Sequence, residues 1–183
     1  MKKYFTLYKP FLIFLAKFFL TYISMTFVYQ SYLGSFEEGN LDSITKLVAR
    51  NTEQFLNMFQ VNFQTELGDT GLYIKLIYNQ KYVARMVEGC NAISIIILFA
   101  AFVVSFSKKL LVTSLYVFFG SIAIFVLNVV RVAVLCGLLY FFPNQEIILH
   151  RVFFPLFIYG FVFLLWLIWI NNFFLNAKKT TET

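Results

Sequence analysis

One thiol, one guanidinium and the only imidazole of the chain stand in or beside long apolar runs: Cys90, Arg131 and His150. Those three groups are a working set for acyl transfer. A thiol attacks a carbonyl only as the thiolate, which is favoured at a helix N-terminus and beside cations. An imidazole can take the thiol proton and later protonate a leaving amine. A guanidinium can stabilise the oxyanion of a tetrahedral intermediate, or bind a substrate carboxylate. Asn128 lies one helical turn before Arg131 and shares its face, where it can orient the guanidinium or donate to the oxyanion. Glu88, two residues before Cys90, can support a helix N-terminus or stand as a solvated loop charge.

Taken singly, each residue has an ordinary structural reading. A cysteine at the end of an apolar run is usually a small filler, and Cys136, with nothing polar beside it, is that filler. Arg131 can anchor a span by reaching for lipid phosphate, and His150, followed by Arg151, can cap a span at the headgroups. The two cysteines form no CxxC and no His/Cys cluster exists, so neither a metal, a cofactor nor a disulfide framework is expected.

What has to position these groups is a set of membrane helices. Of 183 residues, 60% are hydrophobic, 21% aromatic and only 13% charged, with mean hydropathy +0.76. A soluble domain of this length needs more polar surface, and the apolar residues fall in runs long enough to span hydrocarbon. The net charge of +6 does not indicate nucleic acid, because the basic residues sit at the ends of apolar runs and form no patch. The expected fold class is an all-α integral membrane protein with about four transmembrane helices and an extracytoplasmic insert.

The expected spans cover 11–33, 91–106, 110–142 and 152–174, within one membrane domain. The first is too long for a signal-peptide core; Lys17 within it can snorkel to the nearer interface. The third run would be ~50 Å as one straight helix, against a ~30 Å hydrocarbon core. It must continue past the surface or break near Asn128–Arg131. The insert, 34–89, opens with Asn40 or Asp42 as a helix cap. Ile44, Leu47, Val48, Phe55, Met58 and Phe59 then follow at helical spacing, as on an amphipathic helix. Leu72–Tyr78 and Lys81–Val87 read as a β-hairpin turning at Asn79-Gln80.

Orientation follows the basic residues. Lys2, Lys3, Lys9, Lys108, Lys109, Lys178 and Lys179 fall on one side, with the single acid Glu182. The insert holds five basic and seven acidic residues. Both termini are therefore expected in the cytoplasm and the insert outside, in the cytoplasmic membrane of the cell. On that topology Cys90 starts the second span on the outer side. Arg131 lies ~32 Å along the third helix, near the outer boundary, and His150 precedes the fourth span on the same side. Three reactive types far apart in sequence are thus expected at one depth.

With those residues in hand, the chain resembles the exosortase/archaeosortase family over about 85–175. The matching elements are Glu88-Gly89-Cys90-Asn91-Ala92, then Asn128-Val129-Val130-Arg131, then His150 with Gly160 ten residues on. It looks most like the compact F-type branch. Many members carry a small residue and Gly after the Cys, where this chain has Asn91-Ala92. The resemblance implies a cysteine protease/transpeptidase that cleaves a C-terminal tripartite sorting signal (motif, transmembrane segment, basic tail) on secreted proteins. Cys90 would carry the acyl-enzyme, and Arg131 and His150 would complete the site. The implied partners are those secreted proteins, the lipid bilayer and a surface acceptor such as an amine, lipid or polymer. The competing readings are a non-enzymatic membrane assembly or transport subunit, in which Cys90 is replaceable, and an enzyme that transfers a lipid or acyl group through Cys90.

Overall fold

The computed structural model describes residues 2–36, 41–107 and 109–181, with side chains described between 8 and 171. Asn40, Lys108 and Glu182 lie outside these residues, as do the side chains of Lys2, Lys3, Lys178 and Lys179. The chain is mostly helical. In order it forms α1 (Lys2–Leu33), α2 (Ser43–Met58), β1 (Phe63–Leu67), β2 (Tyr73–Tyr78), β3 (Lys81–Val87), α3 (Ile93–Ser105) and α4 (Leu110–Phe141). A 3-10 turn (Pro143–Gln145), a single helical turn α5 (Glu146–Ile148) and a π-helical segment (Leu149–Phe153) lead into α6 (Phe154–Thr181).

Three helical stretches are long and apolar enough to cross a bilayer: Tyr8–Leu33, Leu110–Phe141 and Pro143–Asn171. The protein is accordingly a membrane protein. α3 is apolar too, but its 13 residues reach only ~20 Å. It is packed between the longer helices. Phe14 of α1 lies 6.0 Å and 4.5 Å from Phe102 and Phe106 at its far end. Phe99 and Val103 join Ile124 of α4 and Val162 and Trp169 of α6 in one buried cluster. The Tyr116 hydroxyl donates to the Leu165 carbonyl at 2.7 Å, tying α4 to α6.

α4 is one uninterrupted 32-residue helix, with no break at Asn128–Arg131. Its excess length is accounted for by the insert, which covers its C-terminal half. Val129, Val132, Ala133 and Cys136 share a core with Val48, Ala49 and Leu56 of α2 and with Phe63, Ile74, Leu76 and Met86 of the sheet. Apolar side chains there bury against protein.

Within the insert, Asp42 caps α2, its Oδ1 accepting from the N–H groups of Ile44 (3.0 Å) and Thr45 (2.9 Å). The face turned inward is Thr45, Val48, Ala49, Thr52 and Leu56. Of the apolar set expected there, only Val48 is in that buried row, and Leu47, Met58 and Phe59 are exposed. Close approach to α4 favours small residues on the packed face, which leaves the bulky ones outward, where a helix at a headgroup boundary can bury them in lipid.

The strands form an antiparallel meander in the order β1-β2-β3. β2 and β3 turn at Asn79 and Gln80, both at positive φ (47° and 64°), the geometry of a two-residue hairpin turn. β1 was not apparent from sequence, because Phe63–Leu67 is a short edge strand with only Phe63 fully buried. The last helical stretch begins at Pro143, well before Val152. Pro155 has no N–H to return to Arg151, and the Phe154 N–H instead reaches Leu149, widening the turn into the π segment that holds His150.

Candidate functional site

Cys90 sits where the insert returns to the membrane helices. β3 ends in a turn in which the Cys90 N–H donates to the Val87 carbonyl at 3.1 Å, with Gly89 at φ 90°. Only glycine adopts that angle without cost. Two residues on, Ala92 sits at φ 62° as the N-cap of α3, an angle alanine rarely takes. The thiol-bearing residue is thus held between two left-handed backbone positions, half-buried against the core beneath the sheet.

α4 supplies the polar wall. The buried Asn128 side chain donates through Nδ2 to the Cys90 carbonyl at 2.9 Å, and its Oδ1 accepts from Arg131 Nη1 at 3.3 Å. The asparagine is therefore spent on orientation at both ends of its amide. Arg131 keeps most of its five donors free, and its Nε is buried with no partner among the described residues. Its guanidinium is within electrostatic reach of the Cys90 thiol and of the Tyr159 hydroxyl on α6. An unspent, partly buried guanidinium beside a thiol is suited to hold an oxygen that gains negative charge.

Asn91, next to the thiol, anchors the turn. It is buried, and its Nδ2 lies 2.8 Å from the Tyr29 hydroxyl of α1, 3.2 Å from Thr45 Oγ1 and 3.5 Å from Asp42 Oδ1, while its Oδ1 accepts from the Ile93 N–H at 3.1 Å. One side chain therefore joins α1, α2 and the start of α3 directly behind Cys90. Sequence reasoning singled out Asp42 only as a cap and Asn91 only as a departure from a family pattern. The available signal was a polar residue between a cysteine and an apolar run.

Hydrogen bonds join Cys90, Asn128 and Arg131, and none links His150 to them among the described residues. The imidazole is exposed and makes no hydrogen bond or ion pair among the described residues. Its neighbour Leu149 packs in a cluster with Val83 and Ala84 of β3 and with Phe154, so His150 lies on the insert's side of the molecule. Tyr159, the α6 residue within reach of the guanidinium, is nine residues further on, roughly 13 Å along a helix. Glu88 is exposed and unpaired among the described residues. Among those residues no group of His, Cys, Asp and Glu could hold a metal ion.

No protein-family model matches the chain, and no curated protein or solved structure is detectably similar to it.

Proposed function

We propose that this chain is a membrane-embedded cysteine protease/transpeptidase of the exosortase kind. It acts on secreted proteins that end in a short motif, an apolar span and a basic tail. The observation that carries the reading is the bridge from Cys90 through Asn128 to Arg131, which sets a free guanidinium beside the residue that bears the thiol. In this reading the chain crosses the cytoplasmic membrane four times, α3 serving as the short second span. Both termini are cytoplasmic and the insert faces outward.

The Cys90 thiolate attacks the scissile carbonyl carbon, forming a C–S bond as the carbonyl pair moves to oxygen. Arg131 holds that oxyanion. Collapse breaks the C–N bond, and the leaving amine takes a proton from the imidazolium of His150, which held the proton lost by the thiol. An acceptor amine, or water, then attacks the thioester and releases Cys90. In this reading the contact between His150 and the thiol forms with substrate bound, since catalytic hydrogen bonds tighten in the bound complex.

The test is cleavage of co-expressed secreted proteins bearing such C-termini. Cys90→Ala is expected to leave substrate intact at unchanged protein level. Arg131→Ala is expected to slow cleavage on the order of 10²-fold or more, as for loss of an oxyanion donor. His150→Ala is expected to slow it by about 10²-fold or more. Cleavage by the Cys90→Ala protein at the wild-type rate overturns the reading.

A further inference from the structure

β3 is the last strand of the sheet, and its outer edge is unpaired. The hydrogen-bond pattern tells which groups face that edge. The Gly68 N–H donates to the Tyr73 carbonyl at 2.8 Å, so the main-chain groups of Tyr73 point to β1. Alternation along an antiparallel strand turns those of Ile74 towards β3, where its partner is Met86. Met86 therefore bonds inward to β2, and the N–H and C=O of its neighbours Arg85 and Val87 point off the sheet. Among the described residues the Val87 carbonyl is taken by Cys90 N–H, and the outward groups of Arg85 have no partner. Because the Val87 carbonyl faces outward, the turn it accepts from folds Cys90 onto the open side of β3. At the other end of the strip, Val83 packs against the cluster of Leu135, Leu139 and Phe154, against which Leu149, the sequence neighbour of His150, also packs.

An exposed strand edge accepts one kind of partner, an extended main chain, and proteins ordinarily cover or blunt such edges. This one is left open with the thiol at one end and the histidine-bearing helix at the other. From Val83 to Val87 it spans ~13 Å, enough for about four extended residues. We propose that this edge is the docking strip for the segment of the substrate that precedes its transmembrane span. The segment adds to the sheet as a fourth strand, with main-chain bonds to Arg85, and its carbonyl is delivered to Cys90. The proposal rests on the peptide-cleaving reading above. Backbone recognition of this kind makes the strip tolerant of side chains, so that specificity falls to residues nearest the scissile bond.

The experiment uses the full chain in membranes. The probe is a secreted reporter ending in an extended polar segment, an apolar span and a basic tail taken from a protein of the same cell. Arg85→Pro removes an N–H that faces away from β2, so no bond of the native sheet is lost. Arg85→Ala keeps that N–H. Cleavage by the Arg85→Pro protein is expected to be about tenfold below that by Arg85→Ala, the loss of one main-chain bond. Separately, Arg85→Cys in the Cys90→Ala background is paired with single cysteines walked along the reporter's polar segment. Disulfide trapping is expected at alternate positions, since every second side chain of a paired strand lies on one face. Equal cleavage by Arg85→Pro and Arg85→Ala, with Cys90→Ala inactive, overturns the docking strip and leaves the peptidase reading standing. Absent trapping, or trapping at consecutive positions, does the same, and decides alone where Arg85→Pro fails to fold. Processing that continues in Cys90→Ala overturns the peptidase reading, and the strip falls with it.

Discussion

At the scale of single residues, the site is held by two asparagines that use their amides differently. Asn128 bridges Cys90 and Arg131 within α4's own geometry, and its i, i+3 spacing made the pair visible in sequence. Removing it leaves the Cys90 carbonyl and the guanidinium unsupported. Asn128→Ala is expected to lower cleavage about tenfold to a hundredfold, by the loss of two positioning bonds, with the protein still folded. An activity equal to wild type in the same reporter assay counts against the bridge as the orienting element. Asn91 was not visible in this way, because Tyr29 and Thr45 are 62 and 46 residues from it in sequence. Asn91→Ala removes a hydrogen-bond partner from the Tyr29 hydroxyl, the buried Thr45 hydroxyl and the Ile93 N–H, and is expected to destabilise by about 2–4 kcal/mol. Thermal unfolding in detergent reads this, and an unmoved midpoint refutes it. His150 was legible as a residue type, but its place in a π-helical segment was not, because that widened turn depends on Pro155 and on a helical stretch that already begins at Pro143. Comparing His150→Ala with Tyr159→Phe tests the proton carrier. The larger loss is expected in His150→Ala; the reverse assigns that role to the α6 hydroxyl.

At the scale of elements, close packing of α3 on α4 depends on a residue with no side chain. A Cβ at Gly120 would run into the ring of Phe99, which is fully buried. Gly120→Ala is expected to cost about 1–3 kcal/mol through overpacking, read as a lower unfolding midpoint, and Gly120→Ala with Phe99→Leu should recover part of it. A neutral single substitution would show that α3 shifts freely. In the insert, Lys75 Nζ donates to Asp69 Oδ1 at 2.8 Å across the β1–β2 connection. That hydrogen bond and the lysine charge hold the Asp69 carboxyl below its ordinary range and raise the ammonium of Lys75. A depressed carboxyl contributes stability above its unfolded pKa, which is lost as pH falls through the lower folded value. The lysine's contribution fades only as pH rises through its raised value. Both groups are solvent-exposed, so Asp69→Asn is expected to shift the unfolding midpoint little at neutral pH and not at all in acid. A large shift at neutral pH contradicts this.

At the scale of the whole molecule, the two thiols differ in access. Cys136 is fully buried in the core shared by α4 and the insert, whereas Cys90 is half-buried at the turn. A small membrane-impermeant thiol reagent added to the outer side of intact cells is expected to label the native protein once, at Cys90, and the Cys90→Ala protein not at all. Labelling of Cys90 only from the cytoplasmic side reverses the proposed orientation and removes the site from the reach of secreted substrates.

Hydropathy alone determined that this is a helical membrane protein, because long runs without charge leave the backbone no other way to satisfy its amides in hydrocarbon. Local rules determined the Asp42 cap, the Asn79-Gln80 turn and the shared face of Asn128 and Arg131, since each depends on residues within a turn of one another. The tertiary structure decided what depends on distant partners. It laid the insert along α4, which is why that helix runs unbroken, and it turned small residues of α2 inward instead of the larger apolar ones. It also set Asn91 among three helices and left the edge of β3 open beside Cys90. Those outcomes follow from which surfaces meet, and no spacing along the chain encodes that meeting.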